Sequence, residues 1–315
     1  MVTCPPPRPQ RERHPINYLP PGRNTRHRGF GGAARKGRYV ISLVKRHPLI
    51  SFFVLAYALS WWGWFLYAFN HGLPPVASFG PFLAALIVLA ITHGRAGVLS
   101  LLRRMIRWRV APVWYVVALG LPVAVTLCAT MLNVFLGAPA PSAGDLGGWA
   151  GLLPTFFLIL LIPGLGGAWE EPGWRGYALP QLQASRSALV ASLILGVLWA
   201  FWHLPLMVAG QINWSDLLLV IAAAIVSTWV FNNASGSVLI LMVFHAMNNT
   251  ISGSFFSPMF SGADSVRQGW LLAGLWCVVA VTVVVVAGPA DLSRKHEKQQ
   301  LPAQAVVAGP TPRVV

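Results

Sequence analysis

The chain has 315 residues, of which 56% are hydrophobic and 10% charged, and its mean hydropathy is +0.62. Soluble domains carry roughly 25% charged residues, so this composition cannot cover a water-facing surface and places the chain among polytopic membrane proteins. The formal charge of +15 does not mark a nucleic-acid binder, because 11 of the 23 Lys and Arg precede residue 47 and most of the rest flank apolar runs.

Residues 1–47 form a basic arm, and the Pro, Gly and Arg mixture over 1–40 predicts disorder. The arm is too long and too Pro-rich for the n-region of a cleaved signal peptide, so the first span is expected to be retained. Contact of the arm with anionic lipid fits its charge. A membrane span needs about 20 mostly apolar residues. On that measure the sequence predicts an all-α bundle of eight transmembrane helices over 48–69, 74–93, 111–137, 149–168, 187–208, 215–233, 236–253 and 269–288. The membrane domain then runs over 48–288 and a cytoplasmic tail over 289–315. Cys4, Cys128 and Cys277 form no disulfide or metal pattern. With both termini cytoplasmic, 22 Lys and Arg fall inside and only Arg267 outside. That asymmetry follows the positive-inside rule and predicts a multi-pass protein of the cell membrane.

Three polar islands interrupt the apolar pattern. The first, AWEEPGWRGYALPQL, covers 168–182. Pro172 suits the first turn of a helix starting near Glu170 or Glu171. Glu171 and Arg175 are then i and i+4 and can pair, while Glu170 points roughly 100° around the axis and is left available. Alone, the pair also fits a structural staple with Glu170 solvated. The second island is LWAFWHLPL, 198–206, where Trp199 and His203 are i and i+4 and Pro205 ends or kinks the helix. Alone, His203 fits a hydrogen-bonded structural residue, and Trp199 fits packing or the interfacial belt better than chemistry. The third is VFHAMNNT, 243–250, with His245 and Asn249 on one face and Asn248 on another. Such a pair also serves as interhelical glue. Together the islands supply a carboxylate, two imidazoles and an amide, which is an inventory for hydrolysis.

E-E-x-x-x-R at Glu170, Glu171 and Arg175, aromatic-x-x-x-H at Trp199 and His203, and H-x-x-x-N at His245 and Asn249 occur in that order. This set resembles the CPBP family of intramembrane proteases, which includes the type II CAAX prenyl endopeptidases and the bacterial Abi proteins. The resemblance covers about 150–255. Trp199 stands where the usual pattern has Phe, an apolar-for-apolar change on this reading.

The resemblance implies an intramembrane endopeptidase that cuts near the cytoplasmic face. Glu170 is then the general base for a water that His203 helps to hold. His245 and Asn249 stabilise the oxyanion, and Glu171 with Arg175 orients the site. The implied partners are the bilayer and a peptide or membrane-protein substrate, lipidated or not, and no nucleic acid. Members are described both as metalloproteases and as glutamate hydrolases. A divalent metal such as zinc would take Glu170, His203 and His245 as ligands. The absence of H-E-x-x-H and the poor ligand quality of Asn249 favour a metal-free mechanism with no cofactor. The alternative is a non-catalytic membrane scaffold of the Abi or bacteriocin-immunity type. A transporter would also use buried Glu and His, but the chain has no internal repeat.

Overall fold

The computed structural model of the protein describes residues 30–69, 78–142 and 148–293, and among them there are helices and no strands. Contacts divide the chain into Met1–Val40 and Ile41–Val315. In the first unit the described residues belong to helix α1, Phe30–Arg46. The expected disorder therefore does not extend past residue 30, where Ala, Arg and Lys favour helix; residues 1–29 of the arm lie outside the described residues.

The rest of the second unit runs through α2 (Pro48–Phe69), α3 (Gly80–Met105), α4 (Val113–Phe135) and α5 (Trp149–Leu161). It continues through a composite motif segment to α6 (Ala188–Trp202), α7 (Leu204–Val208), α8 (Trp214–Asn233), α9 (Val238–Asn248) and α10 (Gly262–Ala287). Among the described residues six helical runs are long and apolar enough to cross a membrane, including Val238–Met259, in which α9 continues through a π turn over Asn249–Phe256. Two of the eight expected spans are shorter than predicted. α5 stops at Leu161 because Ile162 precedes Pro163 and is extended, with φ −101° and ψ 113°. α6 stops at Trp202 because Pro205 cannot continue the ladder. α3 is kinked at Gly94, next to the expected span end at 93: its φ of 60° and ψ of −152° are non-helical, a conformation open to glycine, and a second helical piece follows to Met105.

The helices that lead to His203 and His245 both start on serine caps. Ser187 accepts from the Val190 amide and Ser237 from the Ile240 amide, each at 3.3 Å. The α6 start is also tied to the last described residues, where the Ala188 and Leu189 amides donate to the carbonyls of Ala290 and Pro289. The basic α3–α4 region does more than orient the chain. Arg104 Nη2 donates to the Gly176 carbonyl at 2.6 Å, and Arg107 Nη1 donates to the Ser235 carbonyl at 2.6 Å. Ser237 Oγ returns a bond to the Arg107 carbonyl at 2.7 Å. The last turn of α3 thus braces the motif segment, and the connection after it braces the start of α9.

Close approach of α3 and the motif segment depends on a missing side chain. A Cβ at Gly173 would sit 2.5 Å from the backbone of Pro81, so only glycine lets the two backbones touch, as small residues do throughout membrane helix packing. Gly173→Val should therefore lower stability by about 1–3 kcal/mol, the usual cost of overpacking. Unfolding in mixed SDS micelles measures this, and an unchanged midpoint would contradict the contact.

Candidate active site

The first island is a helical run that changes its winding three times. It is 3-10 over Gly167–Glu170, α over Glu171–Gly173, π over Trp174–Ala178 and α again over Leu179–Gln183. Pro172 falls in the first α turn, where its missing N–H costs nothing. Every residue from Glu170 to Pro180 is buried. π turns are rare and favour functional sites; here one begins at Trp174, a single α turn after the two glutamates.

The expected pair forms. Arg175 Nη1 donates to Glu171 Oε1 at 2.9 Å, with the two side chains 0% and 2% exposed. His245 Nδ1 lies 2.7 Å from the same oxygen and donates to it. Glu171 therefore gathers a guanidinium from its own segment and an imidazole from α9. The 3-10 turn makes room for that imidazole: a Cβ on Gly167 would collide with His245 Nε2 and Cε1.

Glu170 is not left free, as spacing alone suggests. Its Oε2 accepts from Trp199 Nε1 at 2.8 Å and from Trp174 Nε1 at 3.3 Å. Trp199 is thus no mere packing or belt residue, and its difference from Phe is not apolar for apolar, because the indole brings a donor. The Arg175 guanidinium lies over the Trp199 ring, 4.2 Å from its centroid. Trp174 is the residue that motif reasoning misses. Its signal is legible, however, since it stands four residues after Glu170 as Arg175 stands four after Glu171. Two interleaved i, i+4 pairs make up the island.

Burial is the main influence on Glu170, which lies outside the candidate membrane spans. It pushes the carboxyl up from 4.5 to about 7, against the downward pull of His245 and of the Trp199 and Trp174 donors. His203 joins the network through its neighbour. Its Nδ1 lies 2.8 Å from the Trp199 carbonyl, so that nitrogen carries the proton and Nε2 keeps its lone pair. The ring is wedged among Trp64, Trp199 and Trp202, with centroids 5.0–5.9 Å away. Trp199 also meets His245 edge-on at 5.6 Å.

The structure thus brings Glu170, Glu171, Arg175, Trp199 and His245 into one bonded cluster, with His203 attached through Trp199. Asn249 is half-buried one helical turn beyond His245. Its only side-chain bonding partner among the described residues is Asn248, at 3.5 Å. The donor set Glu170, His203 and His245 does not converge on one point. Among the described residues no three His, Cys, Asp or Glu are grouped so as to hold an ion. The arrangement of these described residues therefore does not fit a bound zinc.

Removing Arg175 would leave a buried carboxylate with one imidazole partner. Breaking a buried ion pair costs about 3–5 kcal/mol, so Arg175→Ala should lower stability by that amount. Arg175→Lys, which keeps a charge but loses the planar fork, should fall between. Thermal unfolding of the purified variants tests the order.

The profile of the family described as Type II CAAX prenyl endopeptidase Rce1-like matches residues 149–251, the stretch that holds all three islands. Among curated proteins, CAAX prenyl protease 2 of Methanococcus maripaludis is 30% identical over 141 residues, which cover 40% of this chain. The match spans 51% of that protein's length, about half.

Proposed function

We propose that this chain, whose residues 149–251 are a CPBP-family segment, is an intramembrane endopeptidase in which Glu170 activates a water. The observation that carries the reading is a buried carboxyl, held by neutral donors and raised to about 7, beside a second carboxylate neutralised by Arg175 and His245. A buried carboxyl raised to about 7 suits a working base, and its ion-paired neighbour suits a supporting role.

On this reading Glu170 takes a proton from water as the water oxygen bonds to the scissile carbonyl carbon. The carbonyl π electrons move onto oxygen, and the tetrahedral intermediate forms. Glu170 then returns the proton to the leaving amine as the C–N bond breaks. His203, with a lone pair on Nε2, accepts a hydrogen bond from the attacking water and orients it. His245, fixed by its Nδ1 on Glu171, stabilises the oxyanion together with the Asn249 amide. Substrate is a peptide or membrane protein near the cytoplasmic face, with both termini of this chain on that side. The relative's printed name makes a C-terminal CAAX peptide carrying a prenylated cysteine the first substrate to try.

Glu170→Gln keeps the shape and the acceptor oxygen for the indoles but cannot take a proton. Cleavage of a quenched-fluorescence prenylated CAAX peptide by the reconstituted protein should fall to background, with the unfolding midpoint kept. Cleavage at the wild-type rate would end the proposal.

The base must be ionised to work. kcat should therefore fall about tenfold per pH unit below about 7 and level off above it. Stability carries the opposite sign. Glu170 in the folded protein keeps a proton that the unfolded chain releases at 4.5, so its contribution to stability is full below 4.5 and is lost as pH rises to about 7. A profile that is flat from pH 5 to 8 would remove Glu170 from the base role.

Gly167→Ala places a methyl where the His245 ring lies. The ring must leave Glu171, and kcat should drop about a hundredfold, the usual loss for an oxyanion donor. KM should change little. Activity assays on Gly167→Ala and His245→Ala should give matching losses if the two residues act as one contact.

A further inference from the structure

The two donors to Glu170 share a single oxygen. Trp199 Nε1 and Trp174 Nε1 both reach Oε2, at 2.8 and 3.3 Å, while Oε1 accepts from no group among the described residues. A glutamate carboxyl turns easily about its last torsion, whose preferences are broad and two-fold. Two donors arriving from different directions select one orientation. One comes from the motif segment itself, four residues along; the other crosses from α6.

Each indole is itself immobilised. The Trp174 ring is packed edge-on against Phe52 and Trp202, both at 5.6 Å, and lies face to face with Phe53 at 6.1 Å. Trp199 lies under the Arg175 guanidinium. A cation on the ring face draws π density toward it, which leaves the N–H more positive and the bond to the carboxylate stronger. A phenylalanine at position 199 would keep the ring and the cation contact but would have no N–H to give. This chain therefore has a connection between its guanidinium and its base that the Phe pattern lacks.

We infer that Trp174 and Trp199 are positioning residues that clamp Glu170 by Oε2, so that Oε1 alone addresses the attacking water. The inference rests on the reading of Glu170 as the base and adds how that base is aimed. The clamp leaves the proton-accepting oxygen without competing donors. It links Arg175 to both carboxylates: directly to Glu171, and through the Trp199 ring to Glu170. It also ties the geometry of the base to α2, which supplies Phe52 and Phe53 and lies outside the matched segment.

The test uses the full chain in lipid nanodiscs, labelled with 15N on its 14 indoles. In the wild type, two indole N–H resonances should lie downfield, as expected for bonds to a carboxylate. Both should move upfield in Glu170→Ala while the others stay, and each should vanish in one of Trp174→Phe and Trp199→Phe. On the prenylated CAAX peptide each Phe variant should lose about tenfold in kcat, the scale of one bond to a charged group, with KM unchanged. A purely packing role would raise neither signature.

Indoles that Glu170→Ala leaves unmoved overturn the clamp, and so do Phe variants that raise KM at constant kcat. The Glu170→Ala spectrum alone decides if a Phe variant fails to fold, since it requires two resonances to move and needs no activity. Lost cleavage in Glu170→Ala with unmoved indoles removes the clamp and keeps the base. Retained cleavage in that variant removes the base, and the clamp with it.

Discussion

Burying two adjacent carboxylates in a chain this apolar is the constraint on which the rest of the site depends. Each buried ion is costly unless paired and hydrogen-bonded. The protein meets that cost differently for the two residues. Glu171 is held as an ion by a guanidinium and an imidazole on the same oxygen. Glu170 has no cation bonded to it and is held by two neutral indoles. Charge goes to one carboxylate and dipoles to the other, and burial, which the dipoles offset only in part, raises the proton affinity of Glu170. Arg175 is the common element, because its ion pair and its ring contact reach both sides of the division.

The scaffold that fixes these contacts is wider than the matched segment. α2 lies outside residues 149–251, yet its Tyr57 hydroxyl donates to the Leu198 carbonyl and its Trp61 indole to the Trp202 carbonyl. Those carbonyls flank Trp199 and His203 at the end of α6. Trp202 returns a bond to the Ala56 carbonyl and stacks near Trp64, with centroids 4.1 Å apart. Aromatic donors thus meet the unpaired carbonyls of a helix end, a need present at every helix C-terminus. α3 acts on the other side through Arg104 and through the contact of Pro81 with Gly173. The geometry of the site is therefore a property of the bundle, and residues 149–251 would not hold it by themselves.

What the sequence makes legible follows from how local each signal is. Hydropathy finds the helices because burial in lipid depends on composition over about 20 residues. It overestimates 149–168 and 187–208 because an apolar run does not show where the backbone breaks; Pro163 and Pro205 do, at single positions. The Glu171–Arg175 pair is readable from i, i+4 spacing, as is Glu170–Trp174 for a reader who counts indoles as donors. The Trp199–Glu170 bond is not readable, since it joins residues 29 apart in sequence and depends on how α6 crosses the motif segment. Gly167 is equally silent, because nothing in its neighbours announces an imidazole in place of its Cβ. Asn249 is the reverse case: its spacing from His245 is clear, yet its bond runs to Asn248.

The manner in which the carboxylates are held also bears on what the site is suited to do. A carrier must let buried charges exchange partners between two states, so its acidic groups face flexible or water-lined surroundings. Here the donors to Glu170 and Glu171 are an indole locked among rings, an indole beneath a cation, an imidazole seated on a glycine and a guanidinium one turn away. None can move without disturbing another. Such rigidity serves a reaction in which charge appears at a fixed place and must find its partners already oriented, because reorganisation during the step would raise the barrier. It serves exchange badly. The tautomer of His203 follows the same logic: a proton committed to the Trp199 carbonyl leaves one nitrogen as a permanent acceptor, a role that a freely rotating imidazole could not keep.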